Sequence, residues 1–395
     1  MKRIFLVSYG GGHANIMRYV YQELKNREDI EIILLALTTA PLLYMRCNIT
    51  DYTTISETAK CLPYYETILA LGKKYGVQYH NDETGIPLED TIVYYGLGMF
   101  DLIKEHGEEK AQELLHEKGR KVFSPVFSMT NILKYYQPDV CVITASPRVE
   151  RATGIAANSL GIPVVRINDL PITEHIDHDC YLCVMNEWAK KNAISRSGIP
   201  QEKIIVTGQP AFEGNSIIDP AIMDDILCRI NHKNFKKTVV FFAQNGKNQE
   251  DELRILYEIA ESMPEVLYVI KLHPNQLQSE IPESRLKNVV CCKDEAKYFF
   301  RIADAVITTF STTGMEAAMF DIPVIVINFS SQQYPMDYEK MGIALTARDK
   351  AELAELIEVM LDKESEVYSS LCRSRSGFSL EECASANIVK VIMNS

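Results

Sequence analysis

The feature that most constrains the fold of this 395-residue chain is the repeated alternation of short apolar runs with longer amphipathic stretches. A short apolar run predicts a buried strand, and apolar residues at every third or fourth position predict a helix. Strands separated by helices assemble into parallel sheets that are covered on both faces. The predicted strands are residues 3–8, 31–37, 140–144, 163–167 and 180–185 in the first half, and residues 203–206, 239–243, 267–272, 288–292, 305–309 and 323–327 in the second half.

The length of the chain suits two domains of about 150 to 200 residues each. We therefore predict an α/β protein with two Rossmann-like, doubly wound parallel-sheet domains, residues 1–206 and 207–375. Residues 376–395 are predicted to form a terminal helix, and packing against the first domain is one option for it. Residues 40–130 are rich in tyrosine and lack a clear strand pattern, which indicates a helical excursion at the carboxyl edge of the first sheet. Such excursions often carry substrate specificity.

Composition narrows the classes of function. The formal net charge is −12 and the pI is near 5.3, so clustered cations for general nucleic-acid binding are not expected. No apolar run is long enough to span a bilayer and no signal-peptide pattern is visible, so we expect a cytoplasmic protein. The apolar segment 91–103 is best interpreted as buried core, and contact with a membrane or a lipid-linked acceptor is the second interpretation. The ten cysteines resemble reduced core thiols, because many lie within apolar runs.

The sequence YGGGHANIM, residues 9–17, follows the first predicted strand directly. It lacks the G-x-G-x-x-G spacing of a dinucleotide site, and no P-loop sequence occurs in the chain. What remains is a glycine turn, Gly11 and Gly12, that lets a ligand approach the backbone, with His13 at the start of a helix. The alternative interpretation is that His13 only caps or packs under the turn.

Two loops of the second half are predicted to reach one sheet edge. His273 and Pro274 follow the predicted strand 267–272, and Gln244, Asn245 and Gly246 follow the strand 239–243. Ligands of doubly wound sheets bind at the carboxyl ends of strands. Asn and Gly also suit an ordinary turn, and a histidine can be structural there.

A third loop combines hydroxyl groups with a helix start. Ser311, Thr312 and Thr313 follow the predicted strand 305–309 and open the next helix. Backbone N–H groups, the helix dipole and these hydroxyls together predict a phosphate site. Glu316 in the first turn could accept hydrogen bonds from the vicinal hydroxyls of a sugar. Its alternative role is to complement the positive end of the helix.

The sequence HIDHDC, residues 175–180, contains Asp177 and Asp179 and could be interpreted as a D-x-D metal site. Its position before a strand favours a solvated loop instead. We therefore expect neither a metal nor another cofactor. Cys180 and Cys183 form a C-x-x-C pair, but they lie in a predicted strand, whereas the redox motif requires a helix start.

Four sequence motifs together resemble the two-domain GT-B glycosyltransferase superfamily. They are the glycine loop ending in His13, VTGQPAFE (206–213), KLHP (271–274) and TTFSTTGMEAAMFDIPVIVI (308–327). This superfamily includes the peptidoglycan N-acetylglucosaminyltransferase, UDP-N-acetylglucosamine 2-epimerases, and capsule and teichoic-acid transferases. The resemblance is sharpest over residues 181–329 and weakest over 40–130.

The resemblance implies a cleft between two domains, with a nucleotide-activated donor held mainly by the second. It implies that residues 311–314 hold the diphosphate, that Glu316 holds the ribose, and that His273 contacts the donor phosphate. His13 would lie near the reaction centre. The residues assigned to the donor are Gly11, Gly12, Gln209, Gln244, Asn245, Gly246, His273, Pro274, Ser311, Thr312, Thr313, Gly314 and Glu316.

The expected activity is transfer of a sugar to a cell-surface glycan or lipid-linked acceptor, with a UDP-sugar favoured and CMP- or CDP-linked donors open. Fixed N–H groups, hydroxyls and a histidine can stabilise the departing nucleotide without a metal. His13 is the first candidate for the base because its ordinary pKa is near neutrality, and Asp169 and Glu150 are second choices that could equally be structural. A peripheral position at the inner face of the membrane is an open option.

Three other activities stay open. A UDP-N-acetylglucosamine 2-epimerase is one alternative, although the loop AQNGKNQED lacks the His-Arg-x-Glu-Asn segment associated with those enzymes. A CDP-glycerol-type polymer phosphotransferase and a non-catalytic nucleotide-sugar-binding protein are the others. The sequence does not predict the oligomeric state.

Overall fold

A computed structural model describes residues 1–244, 249–273, 276, 281–309, 311–331 and 336–395. The chain divides into two compact units, Met1–Glu213 with Glu381–Ser395, and Gly214–Leu380. Each unit contains one sheet, of seven and six strands respectively, and helices follow most strands. The predicted α/β class with two doubly wound sheets is therefore confirmed.

All strand pairings in both sheets are parallel. The first unit contains β1 (Lys2–Ser8), β2 (Ile30–Ala36), β3 (Thr53–Thr54), β4 (Val140–Thr144), β5 (Val164–Ile167), β6 (Tyr181–Val184) and β7 (Ile204–Val206), in the order β3-β2-β1-β4-β5-β6-β7. The second unit contains β8 (Lys237–Phe242), β9 (Val266–Lys271), β10 (Val289–Cys292), β11 (Ala305–Thr308), β12 (Val324–Ile327) and β13 (Ala344–Ala347), in the order β10-β9-β8-β11-β12-β13.

The α-helices, in chain order, are α1 (Gly12–Lys25), α2 (Ala40–Arg46), α3 (Ile55–Thr58), α4 (Tyr65–Tyr75), α5 (Leu88–His106), α6 (Glu108–Lys118), α7 (Val126–Tyr136), α8 (Val149–Ser159), α9 (Glu187–Arg196), α10 (Pro220–Arg229), α11 (Gln249–Ser262), α12 (Ala296–Phe299), α13 (Thr312–Met319), α14 (Lys350–Leu361), α15 (Glu366–Ser374) and α16 (Ala384–Asn394). Helices α1 to α9 and α16 belong to the first unit and the others to the second.

The strand prediction needs two corrections. The predicted run 203–206 forms β7, which pairs with β6 at one edge of the first sheet. Strand β3 lies inside the segment 40–130, which is otherwise helical; two residues are too short to give an alternating pattern. Strand β13 was missed because its sequence, ALTA, is short and contains a threonine and two small residues.

Each sheet has one topological switch point, which is the place where the connections from two neighbouring strands run toward opposite edges of the sheet. In the first sheet β1 lies between β2 and β4, and in the second sheet β8 lies between β9 and β11. The connections that follow the two central strands at a switch point diverge to opposite sides and leave a crevice at the carboxyl ends. The residues that follow β1 and β4, and those that follow β8 and β11, are therefore the ones best placed to meet a ligand.

Helix α16 completes the core of the first unit. Ile388 and Ile392 are fully buried and belong to the same apolar cluster as β1 and helix α1. At its end, the Lys2 Nζ donates hydrogen bonds to the carbonyl oxygens of Ile392 (2.8 Å) and Ser395 (2.9 Å). After forming the second unit, the chain thus contributes its last helix, α16, to the first unit.

The apolar helix and four of the ten cysteines are packed in the core, whereas Cys228 and Cys383 are exposed, so the expectation of core thiols holds only for part of the set. Cys180 and Cys183 are buried, and burial raises the pKa of each thiol to about 12, so neither resembles a reactive thiolate. The segment 91–103 lies in α5, most of whose residues from Asp90 to Leu102 are buried. Within the described part of the chain, none of the helices has the length and apolar character that a bilayer span requires.

We predict that Ile388→Ala destabilises the first unit by about 2–5 kcal/mol, because it leaves a cavity in a fully buried position. Trp188 is the sole tryptophan and lies in α9 of the first unit, so urea unfolding followed by its fluorescence reports on that unit. The matched control is Lys390→Ala on the exposed side of the same helix, which we expect to change stability by less than about 0.5 kcal/mol. Equal stability of the two variants would contradict the packing of α16.

Candidate functional site

The glycine turn after β1 is built for close packing and for open access at once. A Cβ on Gly10 would lie 1.9 Å from the Thr39 Oγ1, so only glycine fits against the turn that follows β2. Gly11 has a φ of +67°, which favours glycine, and it is the residue directly before α1. Gly11 and Gly12 are exposed, and a Cβ on either would meet no atom within 4 Å. The backbone there is accessible to a ligand.

His13, in the first turn of α1, is linked to Glu150 through one hydroxyl group. The His13 Nδ1 lies 2.8 Å from the Thr144 Oγ1, and the Thr144 Oγ1 lies 2.6 Å from the Glu150 Oε2. The Glu150 Oε2 also accepts the backbone N–H of Thr144 (2.6 Å), and the Glu150 Oε1 accepts the N–H of Tyr9 (2.9 Å). These contacts join the ends of β1 and β4 at the switch point of the first sheet.

This geometry assigns the tautomer of His13. Both oxygens of Glu150 face backbone N–H donors, which suits a carboxylate, so the Thr144 hydroxyl donates its one proton to Glu150. The same hydroxyl oxygen then accepts from the His13 Nδ1–H. The proton of the neutral ring therefore sits on Nδ1, and the Nε2 keeps its lone pair. The side chain of His13 is 24% exposed, which leaves room for a ligand to reach the ring.

Glu150 itself has no exposed surface. Burial raises the pKa of its carboxyl group, while the nearby His13 and the hydrogen bonds from Thr144 and Tyr9 act in the opposite direction. A residue in this position reaches a ligand only through Thr144 and His13.

Asp169 is the second acid near His13. Its Oδ2 lies 4.0 Å from the His13 Nδ1, and its side chain is 28% exposed. Gln209 holds the backbone at Asp169 in place, because its Nε2 donates to the carbonyl oxygens of Asn168 and Asp169, each at 3.1 Å. Gln209 is buried in the first unit.

In the second unit, the turn between β11 and α13 is organised by Ser311. The Ser311 Oγ accepts hydrogen bonds from the N–H (3.3 Å) and the Oγ1 (2.7 Å) of Thr313, so Ser311 caps the helix. Thr312 is exposed at the first helical position. A Cβ on Gly314 would lie 2.7 Å from the Thr308 Cγ2, and glycine is therefore required for α13 to pack against β11.

Glu316 lies one turn into α13 and is partly buried. Its Oε2 accepts a hydrogen bond from the Asn215 Nδ2 at 2.8 Å. Burial raises the pKa of Glu316 to about 7, and the hydrogen bond from Asn215 acts in the opposite direction. The second carboxyl oxygen can accept a hydrogen bond from a ligand hydroxyl.

The carboxyl ends of β8 and β11 meet at the switch point of the second sheet. The Thr309 Oγ1 donates to the Gln244 Oε1 at 3.1 Å. His273 follows β9 and is half-buried, and its backbone N–H lies 3.3 Å from the Gln276 Oε1. The predicted site residues Asn245, Gly246 and Pro274 lie outside the described residues.

Both aspartates of the D-x-D sequence form ion pairs with basic residues. Asp177 pairs with Arg151 and Asp179 pairs with Lys203, while the His178 Nδ1 lies 3.3 Å from the Asp177 Oδ1. Within the ranges that the structure describes, no group of three or more His, Cys, Asp or Glu side chains has an arrangement suited to a metal ion. These two carboxylates do not fit a metal site.

Three contributors to the site were not predicted from the sequence: Thr144, Tyr9 and Asn215. Thr144 ends a predicted strand and Tyr9 follows another, so their positions at strand ends were a usable signal. Asn215 lies 101 positions from Glu316 and carries no local signal.

Comparison with known proteins identifies the fold. No protein-family model matches the sequence, and no curated protein matches it. Among solved structures, the UDP-GlcNAc 2-epimerase from Neisseria meningitidis bound to UDP-GlcNAc is 14% identical, with a TM-score of 0.59 and 100% of both chains covered. MurG from Acinetobacter baumannii is 13% identical, with a TM-score of 0.57 and 100% of both chains covered. The glycotransferase of kitacinnamycin is 13% identical, with a TM-score of 0.55 and 99% of this chain and 98% of that chain covered. The chain therefore has the GT-B type of fold, and the resemblance seen in its motifs is confirmed at that level.

We predict that neutral His13 carries its proton on Nδ1 and that Thr144→Val abolishes this preference, because valine keeps the shape but cannot accept from the ring. Nitrogen-15 chemical shifts of the imidazole report the tautomer directly. The control is Thr153→Val, since Thr153 is equally buried but its hydroxyl donates to the Val149 carbonyl oxygen inside α8. A proton on Nε2 in the wild type would overturn the assignment.

We predict that the Glu316 carboxyl titrates at about pH 7 and that Glu316→Gln removes this titration, which carbon-13 NMR of the side-chain carboxyls can follow. Burial also raises the pKa of Glu252 to about 7, so a second glutamate signal should titrate there and persist in Glu316→Gln. Asn215→Ala should raise the Glu316 midpoint further, because the hydrogen bond from Asn215 stabilises the carboxylate. The folded form holds this proton between the ordinary carboxyl pKa and about 7, so wild-type stability falls over that pH range relative to Glu316→Gln. A Glu316 midpoint below 5 would refute the prediction.

Proposed function

We propose that the chain is a nucleotide-sugar-dependent glycosyltransferase that moves a sugar to a glycan or lipid-linked acceptor without a metal. The observation that carries the proposal is the arrangement of Glu150, Thr144 and His13, which directs a free imidazole lone pair from a glycine turn at the switch point of the first sheet. The GT-B type of fold supports the same class of activity.

In the proposed reaction, the His13 Nε2 accepts the proton of an acceptor hydroxyl. The acceptor oxygen then bonds to the anomeric carbon of the donor sugar, and the bond between that carbon and the phosphate oxygen breaks. The electron pair leaves with the nucleotide. Glu150 acts as a positioning residue, because its contact through Thr144 fixes the ring and stabilises the imidazolium that forms. Asp169 adds a second negative charge beside that ring.

The second unit would hold the donor. A diphosphate suits the start of α13, where Ser311, Thr312 and Thr313 bring hydroxyls and backbone N–H groups to the positive end of a helix dipole. Glu316 would accept hydrogen bonds from the ribose. A helix N-terminus stabilises the charge on the departing nucleotide, and the ion pairs of Asp177 and Asp179 support chemistry that needs no metal.

The identity of the donor and acceptor rests on the resemblance in the motifs. A UDP-sugar is favoured, and a CMP- or CDP-linked donor is the alternative. A cell-surface glycan or glycolipid acceptor implies a cytoplasmic enzyme working at the inner face of the membrane.

Epimerisation of a UDP-sugar is the second candidate. It needs more than one group that can move protons in one crevice, and the 4.0 Å separation of the His13 Nδ1 and the Asp169 Oδ2 favours it. Several solved structures of similar fold are UDP-GlcNAc 2-epimerases. A transferase consumes donor only when acceptor is present, whereas an epimerase converts it alone.

We predict that His13→Ala lowers turnover of the donor by about 10²–10⁴-fold, the range for loss of a general base, while nucleotide affinity stays within a factor of two to three of wild type. Thermal-shift titration with UDP, GDP, TDP, CDP, CMP and ADP first identifies the nucleotide. A ligand at about 100 times its dissociation constant stabilises its protein by roughly 2.7 kcal/mol. Donor consumption is then measured with and without a mixed glycan acceptor. His116→Ala, on an exposed position of α6, is the control for loss of a histidine.

The outcomes separate the candidates. Glu316→Gln should weaken the nucleotide shift and leave the tautomer of His13 unchanged. Acceptor-independent conversion of the donor would replace the transferase with an epimerase, and release of CMP from CDP-glycerol would replace it with a phosphotransferase. Nucleotide binding without any turnover would favour a non-catalytic nucleotide-sugar-binding protein. Absence of nucleotide binding would refute the proposed function.

A further inference from the structure

A small cavity lies beside the glycine turn, within the first unit. Its volume is about 110 Å³, and its walls include Thr38 from the turn after β2, Tyr94 and Tyr95 from α5, and Arg120 from the turn that follows α6. Tyr79 also lines it and stacks on Tyr95, with ring centroids 4.8 Å apart and planes at 6°. The role proposed for His13 makes no use of this cavity.

The aromatic wall is held rigidly. The Tyr95 ring meets the ring of Phe123 edge-on at 5.5 Å, and the Tyr94 and Tyr95 rings are 5.8 Å apart at 74°. Tyr79 is 46% exposed and Tyr95 is buried, so Tyr79 supplies the solvent-accessible ring of the stacked pair. Such a ring suits the C–H face of a sugar, and the hydroxyls can donate to its oxygens.

Two guanidinium groups lie near the tyrosines of this wall, and neither forms an ion pair with an acidic residue in the described part of the chain. Arg120 is exposed, and its side chain makes no ion pair or hydrogen bond with any residue that the structure describes. The Arg148 guanidinium lies 4.8 Å from the centre of the Tyr9 ring, and its Nε lies 3.4 Å from the Tyr9 hydroxyl. Burial raises the pKa of the Tyr94 hydroxyl, and both arginines act in the opposite direction on it. In a chain of net charge −12, Arg120 in the cavity wall attracts an anion, and Arg148, next to Tyr9 behind that wall, adds to the positive charge there.

The backbone of Arg148 gives an independent indication. Its φ is +68° and its ψ is −115°, a conformation that a non-glycine residue rarely adopts, and it lies directly before α8. Backbone strain of this kind concentrates at functional sites because the surrounding structure must hold it in place. The strained residue is the one that brings a cation to Tyr9.

The one carboxylate of the cavity wall is already engaged. The Asp90 Oδ1 accepts hydrogen bonds from the N–H (3.1 Å) and the hydroxyl (2.6 Å) of Ser56. Asp90 is 7% exposed, so most of its charge is directed into the protein.

Tyr9 connects the cavity to His13. Its hydroxyl lies 3.0 Å from the Tyr94 hydroxyl in the cavity wall, and its backbone N–H donates to Glu150 beneath His13. The cavity wall is therefore linked to His13 by a chain of contacts through Tyr9, Glu150 and Thr144.

We propose that this cavity is the acceptor subsite and that it binds an anionic substituent, a carboxylate or a phosphate, on the acceptor sugar. Arginine forms paired hydrogen bonds with both groups, and the tyrosines contact the sugar that carries them. Its role in acceptor binding rests on the proposed transferase function, whereas anion binding itself can be measured without turnover.

The experiment compares glucuronate, glucose 6-phosphate and neutral glucose as probes, with affinities from NMR titration of the full chain at low and high salt. We expect at least one anionic probe to bind about tenfold or more tightly than glucose, and the preference to fall at high salt. The probe that binds more tightly identifies the carboxylate or the phosphate. Equal affinity for all three would overturn the proposal.

Two variants test the residues. Arg120→Gln should remove the preference for the anionic probe, and Arg196→Gln, which removes one exposed cation at the end of α9, should keep it. Arg148→Gly should also remove the preference while retaining the fold, because glycine accepts a positive φ. Wild-type affinity in Arg120→Gln and Arg148→Gly would refute the site. UDP titration of the same samples separates the two proposals, because loss of nucleotide binding with intact anion preference contradicts only the transferase.

Discussion

The buried carboxylate of Glu150 is the interaction on which the first crevice depends. It accepts N–H groups from the residue after β1 and from the last residue of β4, so it joins the two strands at the point where their connections diverge. An unpaired polar group at that depth would cost about 1–3 kcal/mol, and here each donor finds an acceptor. The same carboxylate sets the orientation of His13 through Thr144. The Glu150 side chain therefore both connects the ends of β1 and β4 and orients the imidazole of His13.

The second unit repeats this topology with different chemistry. Thr309 and Gln244 join the ends of β11 and β8 at the corresponding switch point, but both side chains are neutral. The charged group there is Glu316, one turn further along α13, where burial keeps its pKa near neutrality. The edge of the first unit thus presents an imidazole and the edge of the second presents hydroxyls, a helix end and a carboxyl group. This division suits one edge for proton transfer and the other for an anionic, hydroxyl-bearing ligand.

The sequence predicted what local pattern controls. Strands β1, β4, β9 and β11 were recognised because each is a continuous apolar run, and the turns that follow them were recognised because glycine, histidine and hydroxyl residues mark strand ends. The contact between Asn215 and Glu316 and the strain at Arg148 depend on tertiary packing, so no periodicity in the sequence could indicate them.

The return of the chain at α16 makes Gly214–Leu380 an insertion between two parts of one core. Because Ile388 and Ile392 follow the inserted unit in the chain, the first unit exposes the apolar strip that α16 covers until all of Gly214–Leu380 has been synthesised. The usual order, in which the N-terminal domain folds first, is therefore reversed for the final packing step. Until then the first unit of the nascent chain has an uncovered apolar surface, which is available to chaperones and to aggregation.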